Sequence, residues 1–293
     1  MIFKETNKFI MPNLKPVIFN ILILFLVLSC SNNDSEVIVE QPLEYFEELN
    51  VSYGNDSDQR FDIYLPANRT LDTKVMILVH GGGWSAGDKT DMNLFKGLIL
   101  QELPDIGIVN MNYRLAETNN NPFPMQINDI TAVIEYLKSN RNTFVIDDDF
   151  GFIGTSAGAH LSMLWTYAFD TDINIKMVSS IVGPTNFTDP AYLNSSEFQN
   201  LFSGFGINLT TDFLEEISPY HQVDTSAPPT ILFYGGQDPL IPTSQGIDMR
   251  DKLVELGVTH EFTLYENEGH GWSGANGIDT WNKLKIFIQT HLE

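Results

Sequence analysis

From residue 44 onward, short apolar runs alternate with stretches whose apolar residues recur every three or four positions. The runs at 75–79 (VMILV), 106–111 (IGIVNM), 152–153, 177–182 (MVSSIV), 230–234 (TILFY) and 260–265 (HEFTLY) predict strands. Helical spacing over 129–139, 244–256 and 277–292 predicts helices between and after them. Continuous apolar strands that alternate with helices predict an α/β fold, a mainly parallel central sheet with helices on both faces. Ahead of it, 51–53 and 60–65 (RFDIYL) alternate like a half-exposed antiparallel pair. The stretch 186–220 has weak patterning and several aromatics, and reads as a cap-like, helical excursion above the sheet that shapes a pocket. No repeat or low-complexity stretch divides 44–293, so one α/β domain of ordinary size is expected there.

The first residues follow another pattern. Lys4, Lys8 and Lys15 precede an apolar run at 17–28, too short for a bilayer span of roughly 20 residues but suited to a secretory signal. The run ends at Leu28-Ser29-Cys30 and composition then turns polar (SNNDSE). This resembles a bacterial lipoprotein signal, cut before a cysteine that then carries lipid. The expectation is a signal segment at 1–29, a lipidated tether at 30–43 and a chain exported to the cell envelope and held there by Cys30. Cys30 is the single cysteine, so no intrachain disulfide is possible. A formal net charge of −22 excludes a broad phosphate-binding surface, and with it nucleic acid as a partner.

Candidate chemistry sits where predicted strands end. Strand 152–153 runs into Gly154-Thr155-Ser156-Ala157-Gly158, and a helix start follows from Ala157. A serine on so tight a strand-to-helix turn needs small neighbours, and such an elbow presents its hydroxyl as a nucleophile. Strand 75–79 runs into His80-Gly81-Gly82-Gly83-Trp84, where successive glycines let backbone N–H groups approach a ligand closely. A serine needs a base, and the base needs an orienting carboxylate. Of six histidines, His270 alone lies in a glycine-flanked loop after the last strand (Glu268-Gly269-His270-Gly271-Trp272). His80 reads as a loop-ordering residue, and His160 as facing down its helix, away from the elbow. His221, His260 and His291 read as surface, strand or terminal residues. Asp238 follows strand 230–234, at the sheet edge where open α/β sheets collect their sites. Asp147, Asp148 and Asp149 precede a strand and read as a solvated turn at the opposite edge. Glu266 and Glu268 lie on the same segment as His270 and suit its far ring nitrogen less well. The order Ser156, Asp238, His270 is that expected of a hydrolase elbow.

Taken together, HGGGW (80–84), NYRL (112–115), GTSAGAH (154–160), GGQDPLIP (235–242) and EGHGW (268–272) resemble the α/β-hydrolases. Within them they are similar to the esterase/lipase branch with an HGGG motif, near bacterial enzymes that trim acyl groups from plant polysaccharides. Glu117 stands where members like hormone-sensitive lipase have proline after YRLA. The resemblance implies a serine carboxylic-ester hydrolase with Ser156 as nucleophile, His270 as base and Asp238 as its orienter. It places Gly82, Gly83 and Ala157 at the oxyanion and implies no metal or organic cofactor. Acetylated or feruloylated glycans and other small esters are the expected substrates, with Trp84 and Trp272 as candidate pocket walls. Two alternatives stay open: an amidase, formamidase or peptidase on the same residues, and an inactive binding module.

Overall fold

Among the described residues, eight strands line up in one sheet in the order β1-β2-β4-β3-β5-β6-β7-β8. The computed structural model describes residues 42–118 and 120–292. Segment 1–29, Cys30 and most of the expected tether therefore lie outside the described residues.

In chain order, the elements begin with β1 (Phe46–Ser52), β2 (Arg60–Leu65) and β3 (Val75–Val79), followed by a 3-10 turn (Lys89–Met92). Next come α1 (Asn93–Glu102), β4 (Gly107–Met111), α2 (Pro122–Phe144), β5 (Phe150–Thr155), α3 (Ala157–Ala168) and β6 (Ile175–Ile181). Four short helices follow: α4 (Pro190–Leu193), α5 (Ser196–Gly204), α6 (Thr211–Glu216) and α7 (Pro219–Gln222). The chain closes with β7 (Thr230–Gly235), α8 (Thr243–Leu256), β8 (His260–Tyr265) and α9 (Gly274–His291).

β2 runs antiparallel to both of its neighbours, while β4, β3 and β5 to β8 pair in parallel. Inside the sheet both faces are covered, and every residue of β3 and of β7 is buried, whereas the edge strand β8 (HEFTLY) is only partly buried. Along β3 the side chains divide with period two. Val75, Ile77 and Val79 join the core beneath α2, α3 and α8, and Met76 and Leu78 join that beneath α1 and α9. These are the α/β-hydrolase architecture and its two-faced core.

The structure departs from the sequence reading at three places. β2 is not half exposed: it lies between β1 and β4, and Phe61 packs edge-on against Tyr136 of α2, so all but Arg60 are buried. The helix expected at 129–139 is longer, because Asn121 caps it through the Phe123 N–H, Pro122 opens it and Val145 closes it in a left-handed conformation. Finally, α1 was not expected at all. Its apolar residues face two ways, with Ile99 in the core and Leu94 at 69% exposure, which blurs the helical period.

β3 turns to β4 on one side and neighbours β5 on the other. The loops after β3 and β5 therefore diverge, and a crevice opens at the strand C-termini where they part.

Candidate active site

The elbow after β5 is tight in the literal sense. Ser156 has φ 51° and ψ −119°, a region that non-glycine residues rarely occupy and that costs on the order of 1–3 kcal/mol. Packing holds it there: the Ser156 N–H donates to the Ile181 carbonyl at 2.8 Å, and its own carbonyl accepts the His160 N–H at 3.1 Å. The flanking glycines supply space rather than unusual φ. A β-carbon at Gly154 would lie 2.5 Å from Ala159 Cα, and one at Gly158 would overlap the Val79 carbonyl oxygen. The serine is thereby pushed out at the N-terminus of α3.

Two loops from elsewhere in the chain meet it. His270 Nε2 lies 2.9 Å from Ser156 Oγ, and His270 Nδ1 lies 2.8 Å from Asp238 Oδ2. Asp238 leaves the end of β7 and His270 the loop after β8, so the parallel pairing of these strands brings the two loops together. The Asp238 side chain is 1% exposed. Its second oxygen, Oδ1, accepts the N–H groups of Leu240 and Ile241 at 2.8 and 3.0 Å. Glu268 points elsewhere and accepts from Asn276 at 2.6 Å.

The third loop is the glycine run after β3. Gly82, Gly83 and Trp84 all have positive φ (110°, 56° and 63°), and Gly81 comes so near that its β-carbon would lie 3.1 Å from Ser156 Cβ. The N–H groups of Gly82, Gly83 and Ala157 donate to no group among the described residues. They are left free beside the serine. His80 is fully buried beneath them. It stacks on Tyr113 (4.2 Å between ring centroids, 9° between planes) and donates from Nδ1 to the Gly81 carbonyl at 2.7 Å, while Tyr113 Oη donates to the His80 carbonyl at 2.9 Å. Burial lowers the His80 pKa and favours the neutral ring.

These loops open into a cavity of about 950 Å³. The wall includes Leu94 and Phe95 of α1, Tyr192 and Phe198 of the segment α4–α5, and Trp281 of α9, none of them singled out by the sequence. For α1 the missing signal is the blurred period; for Tyr192 and Phe198 it is the weak patterning around them. Trp84 and Trp272 line the cavity, but both indole N–H groups are already engaged. That of Trp84 donates to His160 Nδ1 at 3.1 Å and that of Trp272 to Thr280 Oγ1 at 2.7 Å. Trp84 is only 7% exposed, its ring packed against Phe187 and Phe202. Among the described residues the lining includes two carboxylates, Asp91 and Glu197, and no lysine or arginine. Asp147, Asp148 and Asp149 lie at the opposite end of β5, paired with Lys74, Arg141 and Lys176 rather than simply solvated.

The sequence profile of the BD-FAE family matches residues 61–253, the stretch that carries the glycine loop, the serine elbow and Asp238. The chain belongs to the BD-FAE family. This family member is 26% identical to esterase LipC of Mycobacterium tuberculosis, over 84% of the chain and 66% of that protein. It is also 26% identical to isoprenylcysteine alpha-carbonyl methylesterase ICME of Arabidopsis thaliana, over 75% of the chain and 55% of that protein. The chain thus spans between about half and two thirds of the length of these curated relatives. Its fold superimposes on a truncated carbohydrate esterase from gut microbiota with a TM-score of 0.67 at 20% identity, covering 83% of the chain and 96% of that structure.

Proposed function

We propose that the protein is a serine carboxylic-ester hydrolase working through an acyl-enzyme. The observation that carries this reading is the hydrogen-bonded line Ser156–His270–Asp238, at 2.9 and 2.8 Å, on the floor of an apolar cavity. Ser156 Oγ attacks the ester carbonyl carbon while its proton passes to His270 Nε2. Asp238, held by two backbone N–H groups, keeps the other imidazole proton on Nδ1 and stabilises the imidazolium. The carbonyl oxygen becomes an oxyanion, taken by the free N–H groups of Gly82, Gly83 and Ala157; one such donor contributes about 3–4 kcal/mol to the barrier reduction. The intermediate collapses, the alkoxide leaves with the proton from His270, and the acyl group stays on Ser156. Water then repeats the sequence and releases the acid.

We infer small, uncharged esters as the substrate class, with acetylated or feruloylated glycans foremost. The apolar wall, and a lining that among the described residues includes no lysine or arginine, suit a neutral acyl group better than an anionic one. The carbohydrate-esterase fold neighbour supports the glycan side. Lipid attachment at Cys30, with export to the cell envelope, is part of the same proposal and fits an enzyme that meets extracellular material.

The test is a panel of short p-nitrophenyl esters, acetylated xylan, methyl ferulate and p-nitroacetanilide. The reading expects turnover of the esters, with the anilide slower by orders of magnitude. Hydrolysis of the anilide alone would make the protein an amidase, and no turnover of any member would favour a binding module.

A further inference from the structure

We propose that His160 is a positioning residue that ties the helix bearing Ser156 to the glycine loop, acting through Trp84; this rests on the ester-hydrolase reading above. His160 lies one helical turn beyond Ser156 and is 4% exposed. Its ring is fixed at both ends. Nε2 lies 2.7 Å from the Ile217 carbonyl, which can only accept, so the proton sits on Nε2. Nδ1 is then a bare acceptor, and the Trp84 indole, which can only donate, lies 3.1 Å from it.

Trp84 directly follows Gly82 and Gly83 and, at φ 63°, holds the left-handed conformation that a bulky side chain adopts only under constraint. The constraint has two parts. The Trp84 carbonyl accepts from the Ala116 N–H at 2.9 Å and from Gln126 Nε2 at 2.7 Å, which fixes the backbone. The side chain is fixed by His160 alone among polar partners, with the two rings edge to face at 5.4 Å. One rigid helix thus carries both the nucleophile and the anchor of the loop whose N–H groups face it. Such a tie sets the distance between the free amides and the reacting carbon, which matters in the transition state more than in substrate binding.

Two substitutions separate the two ends of the ring. In His160→Asn, Oδ1 stands near the place of Nδ1 and keeps an acceptor for Trp84 while the Ile217 contact is lost. In His160→Gln, Nε2 stands near the place of the histidine Nε2 and keeps the Ile217 contact while the acceptor is lost. Trp84→Phe keeps an aromatic ring but removes the N–H together with the pyrrole half of the indole, so it is read beside His160→Gln, which leaves Trp84 intact. With p-nitrophenyl butyrate, at a temperature where circular dichroism shows every variant folded, His160→Gln and Trp84→Phe should each lower kcat about 10-fold or more with KM nearly unchanged. His160→Asn should stay within about threefold of wild type, and the double variant Trp84→Phe/His160→Gln should be no slower than its slower parent. Wild-type kcat in both His160→Gln and Trp84→Phe, or equal impairment of His160→Asn and His160→Gln, overturns the tie. A second readout is independent of ester turnover. The Trp84 indole N–H resonance, assigned by its loss in Trp84→Phe, should exchange slowly with solvent in wild type and His160→Asn and faster in His160→Gln. A protein that turned over no ester yet showed this exchange pattern would contradict the ester-hydrolase reading and leave the tie standing. Equal exchange in all three would remove it.

Discussion

Asp238 holds His270 with one carboxylate oxygen only: Oδ2 lies 2.8 Å from His270 Nδ1, while Oδ1 is taken up by the backbone N–H groups of Leu240 and Ile241. Those two donors also fix how an asparagine would sit in its place. In Asp238→Asn the amide oxygen keeps the backbone donors and the NH2 group faces His270. Nδ1 must then accept, the imidazole proton moves to Nε2, and the base faces Ser156 in the wrong tautomer. Turnover should fall by about 10⁴-fold with the fold unchanged. The check is kcat of Asp238→Asn beside Glu266→Gln and Glu268→Gln. A harmless Asp238→Asn next to a damaging glutamate change would reassign the acid.

The elbow makes a steric prediction. A β-carbon at Gly158 meets the Val79 carbonyl oxygen, so Gly158→Ala must push α3 away from β3 and move Ser156 with it. Overpacking of this kind costs about 1–3 kcal/mol, and activity should be lost beyond that. A thermal melt and an esterase assay on Gly158→Ala check this. Wild-type Tm together with wild-type kcat would mean that the helix accommodates the methyl group freely.

Much of this geometry was legible in the sequence because each element of the site stands directly after an apolar run and beside glycine. Ser156, Asp238 and His270 follow β5, β7 and β8, and in a parallel sheet those C-termini share one edge. What escaped the sequence depends on contacts between distant segments. Leu94 and Phe95 form a cavity wall only because α1 lies at the crevice, and its two-way apolar pattern hides it as a helix. The role of His160 also escaped. Its ring accepts at Nδ1 from Trp84, 76 residues earlier, a contact that no local spacing reveals.

Burial gives the fold a pH dependence. The His160 pKa is pushed down from 6.5 to about 4, chiefly because burial disfavours the charged ring, and its two ring partners are an indole and a carbonyl. In the unfolded chain the imidazole takes a proton below about 6.5, and in the folded chain only below about 4. Between those values the unfolded state binds the extra proton. Stability is therefore complete above about 6.5 and declines as pH falls towards 4, by up to about 3 kcal/mol from this group. Urea denaturation from pH 7.5 to 4.5 should show the decline, and His160→Gln should flatten it. Equal slopes in the two proteins would contradict the assignment.

Cys30 separates anchoring from catalysis. The native protein should partition with membranes and release only with detergent, because stable anchoring takes more than one acyl chain. Cys30→Ser should leave the precursor uncut or the protein soluble, with kcat unchanged, since Cys30 lies outside the α/β unit that carries the proposed site. Mass spectrometry of the mature N-terminus decides the matter: an unmodified terminus well beyond residue 30 would make the protein a plain secreted esterase.

The central claim is that Ser156 is the nucleophile. Ser156→Ala removes one hydroxyl from the line Ser156–His270–Asp238 and leaves the φ 51° turn to a residue of similar size. The direct measurement is kcat for p-nitrophenyl butyrate in Ser156→Ala, with far-UV circular dichroism confirming the wild-type fold. We expect a loss of more than about 1,000-fold, with little further loss on adding His270→Ala, because such residues act as a unit. Retention of even a tenth of wild-type turnover in Ser156→Ala would contradict the account.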